Sequence, residues 1–312
     1  MAKIILLLGA NGQVGFELQQ TLVALGNVVG LGREQADFCR PESLRRIVRQ
    51  YQPNIIVNAA AYTAVDKAES EVDVALAVNA SAPRVLAEEA QALGAALVHY
   101  STDYVFDGQK TSLYTEADTP NPQSVYGRSK LAGEQAVANA CQRHLIFRTC
   151  WVVGQHGGNF LKTMLRLAAE RDSLRIVADQ IGAPTSATLI ADITAKVLKA
   201  MRGAESNDAR WGLYHLAAGG ETSWHGYAQY VISQARARGC VLKATPEAVA
   251  PITTADYPLP AARPANSRLD TTKLRQTFAL DLPDWQVGVD KVLSAVINQQ
   301  NQKAEQQWVS KI

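Results

Sequence analysis

The stretch Ile4-Ile5-Leu6-Leu7-Leu8-Gly9-Ala10-Asn11-Gly12-Gln13-Val14-Gly15 places an apolar run directly before the pattern G-x-x-G-x-x-G. The apolar run predicts a buried strand, and the residues that follow Gly15 predict an amphipathic helix. Glycines let the backbone turn tightly and approach a pyrophosphate, while a helix N-terminus supplies N–H donors and partial positive charge. A strand before the glycines and a helix after them indicate a dinucleotide-binding turn.

The same alternation of short apolar runs and longer helical patterns continues through the first half of the chain. Because such alternation forms β-α-β units, the predicted fold is α/β, a doubly wound Rossmann sheet of parallel strands covered on both faces. Strands are predicted at 3–8, 27–31, 55–58, 96–100 and 144–149, and helices at 13–25, 41–50, 74–93 and 125–140.

After Trp151 the alternation loosens, which predicts a second, smaller α/β domain. Helices are expected at 160–171 and 188–202, a strand at 213–217, and an ordered loop in the Pro-rich segment 243–268. The first domain is assigned residues 1–150 with about 187–220, the smaller domain 151–186 with about 221–297, and a polar tail 298–312. We expect that tail to be a frayed helix end or disordered.

Composition argues against several classes of partner. The 312 residues carry a net charge of only +2, so no broad basic surface for nucleic acid or membrane is expected. Apolar runs are too short for a signal peptide or a membrane span, which needs about 18 residues. The four cysteines are scattered without a C-x-x-C pair, so neither a metal site nor a disulfide framework is indicated, and a cytoplasmic protein is expected.

Tyr126 and Lys130 are the strongest catalytic candidates. A spacing of four residues puts the phenol and the ammonium on one face of the predicted helix. A nearby lysine cation favours the phenolate and would lower the tyrosine pKa towards neutrality. Ser101-Thr102-Asp103 follows a predicted buried strand, so these side chains should lie at the carboxyl edge of the sheet, where ligands bind in this fold.

The end of the second predicted strand bears on coenzyme choice. Many NAD sites present an acidic residue there to the ribose 2′-hydroxyl. This chain has Gly32, which leaves room, and Arg33, whose guanidinium suits a 2′-phosphate. NADPH is therefore favoured over NADH, which stays possible.

Taken in order, the G-x-x-G-x-x-G turn, Asn58-Ala59-Ala60, Thr102 and the Tyr126/Lys130 pair resemble the short-chain dehydrogenase/reductase superfamily. Longer blocks sharpen the resemblance: Asn58 to Glu69, Ser101 to Gly108, Asp179-Gln180-Ile181-Gly182-Ala183-Pro184-Thr185, and Arg263-Pro264-Ala265-Asn266-Ser267. With these blocks the chain closely resembles the dTDP-4-dehydrorhamnose reductase family, over nearly its whole length.

The resemblance implies NAD(P)H-dependent reduction of the 4-keto group of dTDP-4-dehydro-β-L-rhamnose, giving dTDP-β-L-rhamnose for cell-surface polysaccharide. By similarity, Tyr126, Lys130 and Thr102 are catalytic. The implied cofactor-binding residues are Gly9, Asn11, Gly12, Gln13, Val14, Gly15, Arg33, Asp37, Phe38, Ala60, Ala61, Tyr62, Thr63, Tyr126 and Lys130. The implied substrate-binding residues are Thr102, Asp103, Trp151, Asn159, Phe160, Pro184, Thr185, Arg263 and Asn266.

Some members of the family resembled form magnesium-bridged dimers through three acidic side chains. Glu17 matches the first, but Thr188 and Gln286 stand at the other two positions. Two neutral ligands attract a hard cation far less than two carboxylates, so we expect no bridging metal. A monomer and a homodimer both remain open.

Two other functions also remain open. A nucleotide-sugar dehydratase typically carries Glu after the Thr-Asp pair, whereas Tyr104 follows Asp103 here, and an epimerase would consume no external NADPH. A non-catalytic NADP-binding regulatory subunit would share the fold but lack turnover, and fold alone does not separate it from an enzyme.

Overall fold

The computed structural model describes residues 3–309; Met1, Ala2 and residues 310–312 lie outside the described part of the chain. The strands are β1 (Ile4–Leu8), β2 (Asn27–Leu31), β3 (Ile55–Asn58), β4 (Ala96–Thr102), β5 (His144–Thr149), β6 (Val152–Val153), β7 (Leu174–Val177), β8 (Ile181–Gly182), β9 (Thr185–Ser186), β10 (Gly212–His215), β11 (Thr222–Ser223) and β12 (Val249–Ile252). The α-helices are α1 (Gln13–Thr21), α2 (Pro41–Tyr51), α3 (Val65–Ala68), α4 (Val72–Leu76), α5 (Ala82–Leu93), α6 (Val125–Ala140), α7 (Phe160–Glu170), α8 (Ala187–Ala200), α9 (Trp224–Ala237), α10 (Thr272–Phe278) and α11 (Trp285–Val309).

The central sheet is six-stranded and parallel, in the order β10-β5-β4-β3-β1-β2. The chain passes from β1 to β2 on one side of β1, and then returns to place β3 on the other side. This reversal opens a crevice at the carboxyl ends of β1 and β3, where ligands bind in doubly wound sheets. The prediction of a doubly wound α/β fold is confirmed.

Both faces of the sheet are covered, which explains why β1 is a continuous apolar run. Ile5 and Leu7 belong to an apolar cluster with residues of α1 and α8, and Leu6 and Leu8 belong to one with residues of α2 and α5. All four of these side chains are fully buried. A third cluster, contributed by α7, α9 and α11, forms the core of the second half of the chain.

The helix predicted at 13–25 ends at Thr21, and the strand predicted at 213–217 spans Gly212–His215. Three differences are larger. The helix predicted at 74–93 is interrupted by a π-helical segment, Ala77–Ser81, between α4 and α5. The strand predicted at 96–100 continues to Thr102. The segment 243–268 contains β12, which pairs in parallel with β7, because a neighbouring strand edge supplies the hydrogen bonds that a loop would lack.

The end of the chain also has more regular structure than predicted. The described part of the expected polar tail continues α11 as far as Val309, while residues 310–312 lie outside the described residues. The division into two domains stays a prediction. None of the helices found between residues 3 and 309 is long and apolar enough to cross a membrane.

Candidate active site

The glycine-rich turn after β1 has the close packing that its motif requires. Gly9 has φ +78°, and a Cβ there would lie 2.5 Å from the backbone nitrogen of Ala60. A Cβ on Gly15 would lie 2.1 Å from the Gly9 carbonyl oxygen, far inside van der Waals contact. Larger side chains are therefore excluded where the turn meets α1 and the end of β3.

A cavity of about 690 Å³ opens at this turn, and we call it the cofactor cavity. The amino end of α1 and the small residues after β3 give it polar backbone and little side-chain bulk. Arg33 and Lys67 add two cations to its wall. Such a combination fits a dinucleotide that carries phosphates, and the predicted residues on the wall are Gly9, Asn11, Gly12, Arg33, Asp37, Phe38, Ala60, Ala61 and Tyr62.

Four other predicted cofactor residues lie beside this wall. Gln13 accepts a hydrogen bond from Asn159 Nδ2 at 3.0 Å, and Val14 packs against the core of the sheet. Gly15 is buried, and Thr63 is exposed next to Tyr62. The contacts of Gln13, Val14 and Gly15 support the shape of the turn, and the binding roles of all four residues stay predictions.

Tyr126 and Lys130 lie one turn apart on α6, as their spacing predicts. The Ser124 hydroxyl caps this helix by accepting from the Gly127 N–H at 3.1 Å, which fixes where the helix begins. Opposite it, the extension of β4 carries Thr102, followed directly by Asp103. The structure thus brings the three predicted catalytic residues to one edge of the sheet.

The Tyr126 phenol has a raised pKa, which is opposite to the predicted direction. Burial is the main cause and raises this pKa to about 12, with a further increase from the Asp103 carboxylate. A hydrogen bond with Thr102 lowers it. The same Thr102 hydroxyl lies 3.0 Å from Asp103 Oδ1, so it links the phenol to a carboxylate. Without cofactor the phenol is therefore held protonated, as a proton donor must be.

The Lys130 side chain is buried, and its Nζ donates to the Tyr100 carbonyl oxygen at 2.6 Å. Burial lowers the pKa of Lys130 to about 8, against an opposing effect of Glu134. A lysine in this state titrates near working pH, which suits a group that exchanges protons.

Asp103 is a buried carboxylate with spare hydrogen-bonding capacity. Burial raises its pKa to about 6, and hydrogen bonds from Ser267 and Thr102 partly offset the increase. Its Oδ2 atom is buried and has no hydrogen-bond partner among the described residues. Because buried acceptors are almost always satisfied, this unpaired atom beside Thr102 is an unusual feature of the site, and the substrate-binding role of Asp103 stays a prediction.

A second cavity, of about 560 Å³, lies on the smaller half of the chain, and we call it the substrate cavity. Tyr104, Phe160 and Arg263 line it. The Tyr104 ring meets Tyr126 edge to face, with centroids 5.4 Å apart, so the cavity reaches the catalytic residues through Tyr104.

Trp151 lies behind the substrate cavity, stacked on Trp224, which lines it. The two indole centroids are 3.7 Å apart. Trp151 has φ +47°, an unfavourable conformation for a bulky residue that commonly marks a functional site. A Cβ on Gly182 would lie 2.7 Å from the Trp151 ring, so glycine is required for this packing.

The remaining predicted substrate residues hold loops together. Asn159 caps α7 by accepting from the Lys162 N–H, and Asn266 donates to the carbonyl oxygens of Lys110 and Ser112. Thr185 is fully buried and bonds to Ala183, while the neighbouring Pro184 is also buried. These contacts give Asn159, Thr185 and Asn266 a structural role, and the binding roles of these three residues and of Pro184 stay predictions.

Arg263 has a partner that the sequence did not indicate. Its Nη2 donates to Asp66 Oδ2 at 2.7 Å, and Asp66 Oδ1 also accepts from the Ala261 N–H. Asp66 lies on α3, beside the cofactor cavity, so this ion pair joins the walls of the two cavities.

Several cavity residues were not predicted from the sequence. Lys67 falls within a block that carried the family resemblance, so a signal for it was present. The cations and rings of the substrate cavity lie in separate segments whose spacing has no pattern. These unpredicted residues are Lys67, Glu71, Val74 and Val78 in the cofactor cavity, and Arg171, Arg175, Gln180, Trp224 and Tyr257 in the substrate cavity.

The three positions related to a bridging metal are also in the structure. Glu17 accepts from Gln155 Nε2 at 3.4 Å, and Thr188 lines a small cavity of about 160 Å³. The buried Oε1 of Gln286 has no hydrogen-bond partner among the described residues. Across residues 3–309, no group of three or more His, Cys, Asp or Glu side chains could hold a metal ion. The absence of a bridging metal stays a prediction.

Comparisons with known proteins agree on one family. The family model described as RmlD substrate binding domain matches residues 2–298. A dTDP-4-dehydrorhamnose reductase from Shigella flexneri is 50% identical over 294 residues, covering 93% of this chain and 97% of that protein. The enzyme of the same name from Burkholderia thailandensis is 49% identical over 296 residues, covering 95% and 99%.

Solved structures lead to the same family. A dTDP-4-dehydrorhamnose reductase from Clostridium acetobutylicum is similar with a TM-score of 0.85 and 34% identity, covering 93% of this chain and 98% of that one. The enzyme of that name from Bacillus anthracis, in complex with NADP, has a TM-score of 0.84 and 34% identity, covering 96% and 100%.

Proposed function

This chain belongs to the dTDP-4-dehydrorhamnose reductase family, and we propose that it reduces the 4-keto group of dTDP-4-dehydro-β-L-rhamnose with NADPH to give dTDP-β-L-rhamnose. The observation that carries the proposal is the position of Thr102, Tyr126 and Lys130 at one edge of the sheet, with Tyr104 leading to the substrate cavity.

Tyr126 is the proton donor in this proposal. When bound, NADPH supplies a hydride, and negative charge then develops on the ketone oxygen. The raised pKa of Tyr126 keeps its proton available until that charge appears, and Thr102 orients the phenol. Lys130, one turn along α6, is placed to hold the nicotinamide ribose and to return a proton to Tyr126.

Arg33 is the residue proposed to select NADPH. It lies exposed on the wall of the cofactor cavity beside Gly32, where an acidic side chain would repel a 2′-phosphate. A guanidinium can bind phosphate oxygens with two parallel hydrogen bonds. NADH, which lacks that phosphate, is expected to bind more weakly.

The substrate cavity has the chemistry of a nucleotide sugar. Arg171, Arg175 and Arg263 supply three cations for a diphosphate, while Phe160 and Trp224 supply aromatic surface for a pyrimidine base. The spare Oδ2 of Asp103 would accept a hydroxyl of the sugar next to the reacting carbon. We propose these roles together with the contacts of Trp151, which supports Trp224 from behind.

The remaining proposals concern the partners, localisation, oligomeric state and metal content of the enzyme. With a net charge of +2, nucleic acid and membrane are not expected partners. We propose a cytoplasmic enzyme, a monomer or a homodimer, with no bridging metal.

Tyr126→Phe tests the catalytic proposal, because it removes the hydroxyl that carries the transferred proton and keeps the aromatic ring. NADPH affinity should change little, while kcat should fall about 10²- to 10⁴-fold. NADPH oxidation with dTDP-4-dehydrorhamnose generated in situ, followed by product identification, measures both. Near-normal kcat in this variant would remove Tyr126 from its role.

The same assay separates the two alternatives. A regulatory subunit would bind NADPH without oxidising it in the presence of the keto sugar, and an epimerase would turn over without consuming NADPH. A dehydratase lacks support from the site, because the residue after Asp103 is Tyr104, which has no carboxylate. Burial raises the pKa of this phenol, so it stays protonated.

A further inference from the structure

Behind the catalytic helix, His99 lies between Asn58 and Lys130. The three residues come from β4, β3 and α6, and each is almost completely buried. Asn58 Nδ2 is 3.0 Å from His99 Nδ1, and His99 Nε2 is 3.5 Å from Lys130 Nζ. The imidazole therefore connects a neutral amide to the lysine of the active site.

Local hydrogen bonds decide which ring nitrogen of His99 carries the proton. The Ala60 N–H donates to Asn58 Oδ1 at 3.1 Å, and a backbone N–H can only bond an acceptor, so the oxygen of this amide is fixed. Asn58 Nδ2 must then donate to His99, and His99 Nδ1 must accept. A neutral ring with this tautomer carries its proton on Nε2, the nitrogen that faces Lys130.

When Lys130 is an ammonium, this tautomer leaves the Nε2–H of His99 facing another donor, and neither group can accept a hydrogen bond. An ammonium has three N–H donors and no acceptor, and His99 Nε2–H is also a donor. A neutral amine at Nζ resolves the conflict, because it accepts from Nε2–H and still donates to the Tyr100 carbonyl at 2.6 Å. The contact with His99 therefore favours the amine form of Lys130 over the ammonium form.

Other charged groups around Lys130 act in the opposite direction or are already paired. Glu134, one turn further along α6, favours the ammonium, but Arg148 on β5 binds both its oxygens, at 2.9 and 2.6 Å. The π-helical segment packed on α6 presents Asn79, a neutral amide that donates to Ser129. Burial and the Lys130 cation keep the pKa of His99 well below its usual range, so the ring stays neutral.

We propose that the Asn58–His99 pair is a positioning device that presents an N–H donor to Lys130 and so sets the balance between the ammonium and the amine of this lysine. This inference rests on the proposed function. After the Tyr126 O–H bond breaks and its proton joins the substrate oxygen, a Lys130 N–H bond breaks and re-forms the phenol. The resulting amine is the form that His99 stabilises, until it takes a proton from solvent.

Two substitutions separate this role from simple packing. His99→Gln keeps an N–H near the position of Nε2 but loses the acceptor for Asn58, whereas His99→Asn keeps that acceptor and loses the donor to Lys130. The alkaline limb of the kcat profile is expected near the Lys130 pKa of about 8. The His99 donor disfavours the ammonium form of Lys130, so removing this donor in His99→Asn should raise the Lys130 pKa and move the limb upwards by about one pH unit. His99→Gln should keep it close to the original position. The reverse pattern, or no movement in either variant, overturns the proposal.

A readout without turnover keeps this test distinct from that of the proposed function. In the cofactor-free protein labelled with ¹⁵N-histidine, NMR should report His99 with Nε2 protonated and Nδ1 unprotonated from pH 6 to 9. Asn58→Asp, which replaces the donor with an acceptor, should switch the proton to Nδ1. A His99 that carries its proton on Nδ1 in the unaltered protein refutes the proposal, whether or not the keto sugar is reduced.

Discussion

The cofactor cavity and the substrate cavity are built from different parts of the chain. The cofactor cavity is built around a glycine turn, the amino end of α1 and small residues after β3, and side chains such as Arg33 and Lys67 complete its wall. The substrate cavity is made of side chains, with arginines and aromatic rings from four separate segments. A site made of backbone must use particular residues at fixed spacing, whereas a site made of side chains needs only that the fold brings them together.

The first prediction tests this difference by placing a side chain in the glycine turn of the cofactor cavity. Gly15→Ala puts a Cβ 2.1 Å from the Gly9 carbonyl oxygen, and the backbone at that point cannot move without changing the turn. Overpacking of this kind costs about 3 kcal/mol, so NADPH affinity measured by fluorescence titration should fall about 100-fold.

Gly158→Ala is the matched control for that substitution. A Cβ there meets nothing within 4 Å, so both affinity and thermal unfolding should stay unchanged. Thermal unfolding of Gly15→Ala shows whether the turn or the whole domain is affected. Unaltered NADPH affinity in Gly15→Ala would mean that the turn does not form the cofactor site.

The same difference explains how far the sequence could predict the site. Gly9, Gly12 and the Tyr126/Lys130 pair were found because their chemistry requires a local spacing. Arg171 and Trp224 were missed because they lie 53 residues apart and meet only after α7 and α9 pack together. Each is an ordinary residue of its own helical or loop segment.

Physical reasons of the same kind account for errors in the fold. The π-helical segment Ala77–Ser81 coincides with Asn79, whose side chain exchanges hydrogen bonds with the Tyr62 backbone and with Ser129. Such a shift in helical register depends on partners from other elements, and apolar periodicity carries no sign of it. The strand Val249–Ile252 likewise depends on the edge of β7.

A second prediction concerns the substrate cavity, where removing one side chain should weaken substrate binding without abolishing it. Arg263→Ala should raise the KM for the keto sugar about 30-fold, since a hydrogen-bonded charge on a phosphate contributes about 2 kcal/mol. The effect on kcat should be much smaller. Steady-state kinetics with NADPH held saturating measures both constants.

Asp66→Asn is the control that separates binding from tethering. It removes the ion partner of Arg263 but leaves the cation beside the substrate cavity. If Arg263 only tethers its loop to α3, both variants should raise KM alike. If it binds the diphosphate, Asp66→Asn should leave KM unchanged or lower it.

A third prediction concerns Arg33, whose side chain lies on the wall of the cofactor cavity. Arg33→Ala should weaken NADPH about fivefold, the size expected for an exposed charge pair worth about 1 kcal/mol, and should leave NADH unchanged. Fluorescence titration with each coenzyme gives the ratio. Arg46→Ala, an exposed arginine away from the cavity with the same change of charge, should affect neither. Equal weakening of both coenzymes by Arg33→Ala would contradict the 2′-phosphate assignment.

The smallest expected effect arises at Asp103, which follows Thr102 at the carboxyl edge of the sheet. Burial raises the pKa of this carboxyl to about 6, so its ionised form is lost as pH falls through 6. A protonated carboxyl is a weaker acceptor for a sugar hydroxyl than a carboxylate. The kcat/KM for the keto sugar should therefore decrease by about threefold below pH 6, the cost of one weakened hydrogen bond, while NADPH affinity stays constant. Asp103→Asn has no proton to gain and should give a lower but flat profile over this range. An unchanged acid limb in Asp103→Asn would assign the titration to another group and leave the spare Oδ2 without a role in substrate binding.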